Sequence, residues 1–408
     1  MLSTLRSYPP TVNLLLCASL ILTLARATTL PYLVIYLSGA FSLSIADIGL
    51  VIGSTLIIGS LLSLYGGFLV DKMSSYRLIL SCCGVFATGF LGAYIAPNLW
   101  LFFLCLVLIN LAYAVIDIAV KTGFASRLPV AQRSEVFSIK YTLTNIGYAV
   151  GPFLGAAIAT LDISLPFLLS AGLGAGFFLV YFVWGDRDLK VTVEAQKSAA
   201  FLTVGKLLLK DYRLVCFTLG GLLSAVVFGQ FTAYLSQYLV VTTTPESVYR
   251  IISTVVATNA LMVISLQYFI GRKLSHRHLT LWLIAGLSMF MIGLAGFALS
   301  TSIVLWTLSM AIFTVGEIIV FPAEYMFIDK IAPENLRGMY YGAQNLCNLG
   351  AALGPVLCGV VLATQPPHYI FYMLEFFIVA GGLFYFLGAA SFSAITGKAA
   401  VNNRSTTP

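Results

Sequence analysis

The stretch of sequence that decides the fold occurs twice in the chain. Residues 145–152 read Asn-Ile-Gly-Tyr-Ala-Val-Gly-Pro, and residues 348–355 read Asn-Leu-Gly-Ala-Ala-Leu-Gly-Pro. The Asn, both Gly and the Pro recur at one offset of 203 residues, about half the length of the chain. Because each copy lies within a long apolar stretch, the sequence predicts two related halves that are both embedded in a membrane.

The composition is that of an integral membrane protein. Hydrophobic residues make up 60% of the chain and charged residues only 9%, whereas soluble domains carry roughly 25% charged residues. The apolar spans are about 20 residues or longer, which suits membrane-crossing helices rather than the ~10-residue strands of a barrel. We place twelve such spans at 13–38, 45–71, 77–96, 99–126, 135–160, 164–184, 211–240, 247–271, 279–299, 303–328, 336–363 and 368–391.

The longest polar stretch, residues 185–210, divides the chain into two halves. The predicted fold class is an all-α membrane protein with twelve transmembrane helices in two pseudo-symmetric six-helix bundles, at 1–184 and 211–392, followed by a cytoplasmic tail at 393–408. Within the linker, residues 199–209 mix apolar side chains with lysine, and we interpret them either as a short interfacial helix or as part of a flexible linker. Internal symmetry inside a membrane chain is typical of alternating-access transporters.

The net charge of +7 does not indicate a nucleic-acid partner, because the basic residues follow the membrane topology. Lysine and arginine collect in alternate loops between the spans. This distribution follows the positive-inside rule and predicts that both termini lie in the cytoplasm. We therefore expect a multi-pass membrane protein without a nucleic-acid partner. The other loops, which contain neither lysine nor arginine, lie near 39–46, 95–100, 161–165, 299–304 and 364–368.

Sequence motifs of enzymes and of cofactor sites are absent. The chain contains no GxxxxGK[ST] phosphate loop, no HExxH zinc motif, no CxxC pair and no GxSxG nucleophile elbow. The seven cysteines lie mostly within spans and have no paired spacing, so we interpret them as small buried hydrophobic residues. The sequence thus predicts neither an enzyme nor a bound cofactor or metal, and no fused ATPase.

The strongest local motif closes the second span, where residues 66–77 read Gly-Gly-Phe-Leu-Val-Asp-Lys-Met-Ser-Ser-Tyr-Arg. Gly67 lies four residues before Asp71, and a small residue at that spacing lets a neighbouring helix approach closely. The carboxylate of Asp71 is expected at the cytoplasmic membrane surface, where it can meet a helix N-terminus or a cation from the other half. Lys72 and Arg77 complete this candidate conformational gate.

This stretch resembles the signature loop of the major facilitator superfamily, Gly-x-x-x-Asp-(Arg/Lys)-x-Gly-Arg-(Lys/Arg). Ser74 and Ser75 stand where that loop usually has Gly and Arg, and the related place in the second half, residues 267–272, has no acid. The resemblance covers the whole chain and implies two helical bundles that rock around a central cavity. Within the superfamily the chain is most similar to bacterial drug:proton antiporters, close to multidrug and dipeptide or amino-acid exporters. This resemblance implies a location in a bacterial inner membrane.

A second motif lies in span five, where Gly147, Gly151 and Gly155 are four residues apart and Pro152 follows the middle glycine. The glycines fall on one helix face and permit close backbone contact with another helix. The proline removes one backbone donor and bends the helix. The motif resembles the pattern typical of antiporters in the superfamily, with Ala156 in place of a final Gly, and so implies export by exchange. Its second copy also allows a simpler interpretation, ancestral symmetry.

Charged residues inside the spans form a third feature, because a charge at mid-bilayer costs about 2.5–3.5 kcal/mol and usually faces a cavity or a partner. Glu317 lies about halfway along span ten and is our candidate for proton coupling, since a buried carboxyl group can load and release protons. It can equally pair with a cationic substrate or form a structural ion pair. Glu324 is assigned either to proton coupling or to a gate with Lys121 or Lys330. Pro322 between the two acids should break the hydrogen-bond ladder and bend the helix.

Arg26 lies about halfway along span one, and Asp117 lies toward the cytoplasmic side of span four. Two arrangements are open: the two side chains form one buried pair, or Arg26 faces the cavity and anchors a carboxylate of the substrate. Asp117 is also a candidate for proton coupling. The arginine that is usual in span four of the related proton antiporters is missing, and Asn110 lies roughly at its place.

Polar and aromatic side chains of the spans complete the candidate substrate site, because such residues can line a pocket for amphiphilic ligands. The alternative for each is an interhelical hydrogen bond or an anchor at the membrane interface. The candidates are Arg26, Tyr32, Tyr36, Asn110, Tyr113, Tyr141, Asn145, Gln230, Tyr234, Gln237, Asn259, Glu317 and Asn345.

We therefore predict a monomeric secondary transporter that exports small amphiphilic molecules, such as drugs, dipeptides or related metabolites, in exchange for protons. Its expected partners are a small-molecule substrate, protons and the lipid bilayer. A proton-coupled symporter that imports peptides or another nutrient stays open, because residues 316–322 resemble span ten of certain drug and peptide transporters. A membrane receptor or sensor is disfavoured, because the loops are short and no output domain is visible.

Overall fold

The structure, a computed structural model, describes residues 6–187, 200–274 and 278–404. All regular elements in these ranges are helices. The helices of the first half are α1 (Pro10–Phe41), α2 (Ile45–Lys72), α3 (Ser75–Ile95), α4 (Leu99–Arg127), α5 (Val130–Ala159) and α6 (Leu165–Trp184).

A short helix, α7 (Phe201–Lys210), precedes the helices of the second half. The part of the predicted linker between residues 188 and 199 lies outside the described residues. The helices that follow are α8 (Tyr212–Phe228), α9 (Phe231–Thr242), α10 (Pro245–Gly271), α11 (Leu279–Ala298), α12 (Ile303–Ile331), a 3-10 turn (Glu334–Leu336), α13 (Arg337–Gln344), α14 (Cys347–Thr364) and α15 (Tyr369–Arg404).

Polar side chains cap the N-termini of several membrane helices. The side-chain oxygen of Ser44 accepts the backbone N–H of the third residue of α2, and the side-chain oxygens of Ser74, Asn98 and Ser302 do the same for α3, α4 and α12. Each side chain satisfies a backbone donor that has no partner within its own helix. Ser74 is one of the two departures from the signature loop, and this cap gives it a structural role.

Within the described residues, eleven helices are long and apolar enough to cross a membrane, and a twelfth is counted when α7 and α8 are taken together. These two helices are bent by 84° at Asp211, so α7 does not continue the line of α8. The predicted span 211–240 instead corresponds to α8 followed by α9, which are separated by Gly229 and Gln230. Gly229 has no room for a side chain, because Ala351 of α14 lies against it.

The helices group into two compact units. Unit 1 comprises residues 1–196, 260–273 and 333–345. Within it, α1 packs against α5 and α6, and α3 packs against α4 and α6. The two inserted segments are the last part of α10 and the stretch that contains α13, so unit 1 is larger than the predicted first half.

Unit 2 comprises residues 197–259, 274–332 and 346–408. Within it, α8 packs against α14 and α15, and α11 packs against α12 and α15. These are the pairs that occupy the corresponding places in the repeat, so the packing scheme of unit 1 recurs in unit 2.

The repeated glycines mediate the same helix contact in both units. In unit 1, a β-carbon on Gly151 would lie 2.9 Å from the backbone carbonyl carbon of Ala27 in α1. In unit 2, Gly350 and Gly354 of α14 lie directly against the backbone of Leu222 and Val226 in α8. Only glycine allows two helix backbones to approach this closely. The sequence repeat therefore encodes a repeated site of close helix packing.

The prolines inside the membrane helices do not end them. Helices α5, α12 and α14 continue through Pro152, Pro322 and Pro355. A proline lacks the backbone N–H and so removes one hydrogen bond of the helix ladder. The predicted break at Pro322 is therefore limited to the loss of this one bond, and α12 holds residues 303–331 in one helix.

Candidate functional site

Glu317 lies in a buried polar cluster of unit 2. Its side chain on α12 is only 7% exposed. The side-chain amide of Asn259 on α10 donates one hydrogen bond to Glu317 Oε2 over 2.5 Å and another to Thr314 Oγ1 over 3.2 Å. Thr314 precedes Glu317 by one helical turn, so both acceptors face the same amide. The geometry thus joins two predicted candidates, Glu317 and Asn259, in one hydrogen-bonded group.

Tyr234 of α9 adds a phenol to the surroundings of Glu317. Its side chain is fully buried, and its hydroxyl interacts electrostatically with Glu317. Within the described residues the hydroxyl of Tyr234 has no hydrogen-bond partner. A buried hydroxyl without a partner is costly, so this hydroxyl is available to a ligand, a water molecule or a rearranged carboxyl group.

Glu324 forms a second buried acidic site on α12, two helical turns after Glu317. It is 4% exposed, and it accepts a hydrogen bond from the hydroxyl of Tyr385 on α15. The backbone of Gly221 on α8 lies nearby: a β-carbon on this glycine would be 3.9 Å from Glu324 Oε1. Both acids of span ten are therefore buried within unit 2.

Asp117 lies in unit 1 between two lysines. Its carboxylate is 2.8 Å from Lys121 Nζ on the same helix and 2.6 Å from Lys140 Nζ on α5. The side chains of both lysines are more than 90% buried. Asp117 and Lys140 also line a cavity of about 10 Å³, which is about the space of one water molecule. Asp117 is thus the centre of a buried ion cluster.

Arg26 of α1 has a separate set of partners. Its Nη2 donates to Asn110 Oδ1 over 3.1 Å, and its Nη1 donates to the hydroxyl of Tyr148 over 3.3 Å. The guanidinium carbon lies 4.9 Å from the centre of the Tyr113 ring. The predicted alternative in which Arg26 pairs with Asp117 is therefore wrong in this structure, because each side chain is engaged by other residues.

The remaining candidates of unit 1 have mostly structural contacts. Tyr36 is buried in an aromatic cluster with Phe41, Phe102 and Phe167. The hydroxyl of Tyr32 donates to the carbonyl of Pro152 over 3.4 Å. These contacts hold helices of unit 1 together.

Four further candidates and Tyr141 differ in their surroundings. Asn145 donates to the carbonyl of Tyr141 on its own helix over 3.0 Å, and Tyr141 itself is buried. Gln230 is exposed at the break between α8 and α9, and Asn345 is buried in the turn between α13 and α14. Gln237 of α9 has a buried side-chain oxygen without a hydrogen-bond partner among the described residues.

The candidate gate residue Asp71 contacts a helix N-terminus. Its two carboxylate oxygens accept the backbone N–H groups of Gly338 over 2.7 Å and Met339 over 2.9 Å, at the start of α13. Gly67 lies directly against the backbone of Gly338, which leaves no room for a side chain on either residue. Of the two partners predicted for Asp71, the structure contains the helix N-terminus, where a negative charge is stabilised by the helix dipole.

The two basic residues of the same motif form fewer side-chain contacts than Asp71. Lys72 and Arg77 are exposed. The ammonium group of Lys72 lies 5.7 Å from the centre of the Phe68 ring, and the backbone N–H of Arg77 donates to the Ser74 cap. Neither side chain takes part in the contact between Asp71 and α13.

A second acid, Glu135, also accepts hydrogen bonds from residues distant in the chain, and the sequence reasoning missed it. Glu135 of α5 accepts hydrogen bonds from Tyr268 on α10 over 3.0 Å and from Tyr8 over 3.5 Å. Burial, together with the charge of Glu135, raises the pKa of the Tyr8 phenol, so Tyr8 stays protonated and acts as a donor. The sequence repeat could have indicated this contact. Glu135 lies 203 residues before Gly338, so it occupies in the first half the position that Gly338, a partner of Asp71, occupies in the second half.

The repeated helix pairs, the paired glycines and the buried charges define a membrane transport protein built from two homologous halves. The chain belongs to the Major Facilitator Superfamily, whose family model matches residues 15–355. The predicted fold class is therefore confirmed, and the protein is a multi-pass membrane transporter of small molecules rather than an enzyme.

Relatives support this assignment, and a solved structure has the same fold. The chain is 40% identical to the MFS-type transporter YdeE of Escherichia coli (strain K12) over 90% of this chain and 92% of the relative. It is 24% identical to a Na(+), Li(+), K(+)/H(+) antiporter of Planococcus maritimus, over 80% of this chain and 83% of that protein. The structure of the transporter FucP in the outward conformation matches with a TM-score of 0.74 and 15% identity, over 94% of this chain and 99% of that one.

Proposed function

We propose that the protein is a proton-coupled antiporter that exports small amphiphilic molecules, such as drugs, dipeptides or related metabolites, by alternating access. It lies as a monomer in a bacterial inner membrane with both termini in the cytoplasm. The observation that carries the proposal is the buried cluster of Glu317, Asn259 and Thr314. A carboxyl group in such a place is retained at a cost and is a candidate functional site by default.

Glu317 is proposed as the residue that carries the proton. When it is ionised, its carboxylate is stabilised by the amide of Asn259, a neutral donor at 2.5 Å. When it is protonated, the buried charge disappears and the hydroxyl of the carboxyl group can donate to a neighbouring acceptor. Proton loading thus changes both the charge and the hydrogen-bond pattern of this cluster. Competition of proton and substrate for one conformational equilibrium then couples the two fluxes.

Glu324 and Asp117 are proposed to have supporting roles of different kinds. Glu324, bonded to Tyr385, is the second acid through which a proton can pass along α12. Asp117 is held by two ammonium groups at 2.8 Å and 2.6 Å. We propose that it fixes α4 to α5 and takes part in coupling only when one of the two lysines moves away.

The contacts of Asp71 and Glu135 are proposed to close the cytoplasmic side. Each of them joins residues more than 130 positions apart in the chain. In one contact the acid lies on α2 and the backbone donors on α13, whereas in the other the acid lies on α5 and the donor on α10. Opening toward the cytoplasm requires both contacts to break, so the strength of each sets part of the conformational equilibrium.

Export by exchange is favoured over import by two features of different origin. The glycine-proline pattern of α5 matches the pattern typical of antiporters in the superfamily. In addition, one relative of 24% identity is named as a cation/proton antiporter. Neither feature names the substrate of this chain.

The test uses purified full-length protein in proteoliposomes that are loaded with ethidium or with leucyl-phenylalanine. An acidic exterior should accelerate efflux of the probe from vesicles with the parent protein. The variant Glu317→Gln should lose this acceleration and keep exchange without a gradient, whereas the control Glu246→Gln, at an exposed position of α10, should behave like the parent. Full acceleration of efflux by the acidic exterior in Glu317→Gln would show that the assignment of the proton site is wrong. Probe uptake driven by the gradient would show a symporter instead.

A further inference from the structure

Arg26 carries a positive charge in the middle of a membrane helix and has only neutral partners. Its two hydrogen-bond acceptors are the side-chain oxygen of Asn110 and the hydroxyl of Tyr148, and its guanidinium stacks on the ring of Tyr113. Among the residues that the structure describes, no carboxylate forms an ion pair with Arg26. This distinguishes it from Lys121 and Lys140, whose charges face Asp117.

Two of the three neighbours of Arg26, Asn110 and Tyr113, are themselves fixed by further hydrogen bonds. The amide of Asn110 donates to Thr55 Oγ1 over 3.4 Å, and the hydroxyl of Tyr113 lies 2.8 Å from Thr23 Oγ1. The guanidinium is therefore held by groups that cannot rotate freely. A charged donor that is already oriented loses little entropy when a ligand binds.

The cluster is also not fully enclosed by the protein. Arg26 is half-buried, and the side chain of Tyr148 is 39% exposed. A guanidinium has five N–H donors, and the structure assigns two of its nitrogens to neutral acceptors. The remaining donor capacity and the uncompensated charge both suit an anionic group, and a planar carboxylate matches the guanidinium fork.

We infer that Arg26 binds a carboxylate of the transported molecule, so that the substrate class is amphiphiles with a free carboxylate, such as peptides with an unmodified C-terminus. The inference rests on the proposed function, because it takes the Arg26 cluster to face the transport pathway. Asn110, Tyr113 and Tyr148 then act as positioning residues that hold the guanidinium toward this carboxylate.

The experiment measures binding without any proton gradient, so its outcome is independent of the coupling mechanism. Purified protein is titrated with three pairs of compounds, each pair a carboxylic acid and its amide: leucyl-phenylalanine, N-acetyl-phenylalanine and cinnamate. The readouts are tryptophan fluorescence and the melting temperature. We expect the parent to prefer the acid in at least one pair by about 10- to 100-fold, the range for a hydrogen bond to a charged group.

Variants of Arg26 then assign the preference to this residue. Arg26→Gln should abolish the preference, Arg26→Lys should keep part of it, and the control Arg250→Gln, at an exposed position of α10, should leave it unchanged. Gel filtration and the melting temperature establish that each variant is folded. The inference is overturned if the parent prefers no acid in any of the three pairs, or if folded Arg26→Gln keeps the preference.

Discussion

The contact between Asp71 and the start of α13 can be weakened with almost no change in shape by the substitution Asp71→Asn. The carboxylate accepts two backbone N–H groups, at 2.7 Å and 2.9 Å. An asparagine has one acceptor oxygen, so one of the two hydrogen bonds is lost and the other no longer involves a charged group. Each hydrogen bond to a charged group contributes about 1.5–3 kcal/mol, and the interaction of the charge with the helix dipole adds about 0.3–1 kcal/mol.

From these contributions we expect Asp71→Asn to weaken the closed state by about 2–4 kcal/mol. The equilibrium between closed and open states then shifts by about 30- to 700-fold toward the open state, because every 1.4 kcal/mol is a factor of ten. The population of the open state rises by this full factor only if the closed state is still the major state in the variant.

The assay uses a single cysteine, Ala343→Cys, in a chain whose seven native cysteines are replaced by serine. Ala343 is 7% exposed on α13, so a membrane-impermeant maleimide should reach this cysteine only after α13 separates from α2. Labelling from the cytoplasmic side should be at least about 30-fold faster in Asp71→Asn. The exposed Arg77 provides the control Arg77→Gln, which should label at the parent rate. Equal labelling rates for folded Asp71→Asn and the parent would refute the reasoning.

Four further substitutions test other parts of the structure. Glu135→Gln removes the charge that accepts from Tyr268 and should speed the labelling of the same cysteine by about 10-fold or more, and an unchanged rate would show that this contact does not help to hold the closed state. Gly151→Ala places a methyl group 2.9 Å from the backbone of α1 and should lower the free energy of unfolding by about 1–3 kcal/mol, which thermal unfolding in detergent would measure and an unchanged melting temperature would contradict. Tyr385→Phe removes one partner of buried Glu324 and should cost about 1–3 kcal/mol in the same measurement, whereas substituting the exposed Tyr372 by Phe should cost nothing. Lys140→Met removes one of the two cations beside Asp117 and should destabilise the protein by about 1.5–3 kcal/mol; a more stable variant would mean that the ion cluster is retained for function alone.

The positions of the membrane helices along the chain could be predicted, because they depend on local sequence. Long apolar runs give the spans, and the offset between residues 145–152 and 348–355 predicts that the halves share one packing scheme. The position of Asp71 after Gly67 limited its partner to a helix end or a cation, and the structure contains the former. Each of these conclusions needs only a local sequence pattern or the repetition of such a pattern.

Side-chain partners on different helices could not be predicted in the same way. Asp117 is bound by Lys140, and Arg26 is bound by Asn110 and Tyr148, because the helix rotations place these groups together. Helix rotation about its own axis depends on the packing of all its neighbours, which a single sequence does not reveal. The break between α8 and α9 also escaped prediction, since Gly229 lies inside a stretch that is apolar enough to be taken as one span. The structure requires a glycine there because Ala351 of α14 lies against it.

Helix α7 has a consequence for how the second half can move. Val204 and Leu208 pack inward, whereas Leu202, Leu209 and Lys206 are exposed on this helix. We propose that this helix lies among lipid headgroups, with Leu202 and Leu209 at the acyl boundary and Lys206 near the phosphates. Because α7 meets α8 at 84°, tilting of α8 would move α7 within the headgroup layer. Turnover should therefore respond to the fraction of anionic lipid, and replacing Lys206 with glutamate should reverse the direction of that response.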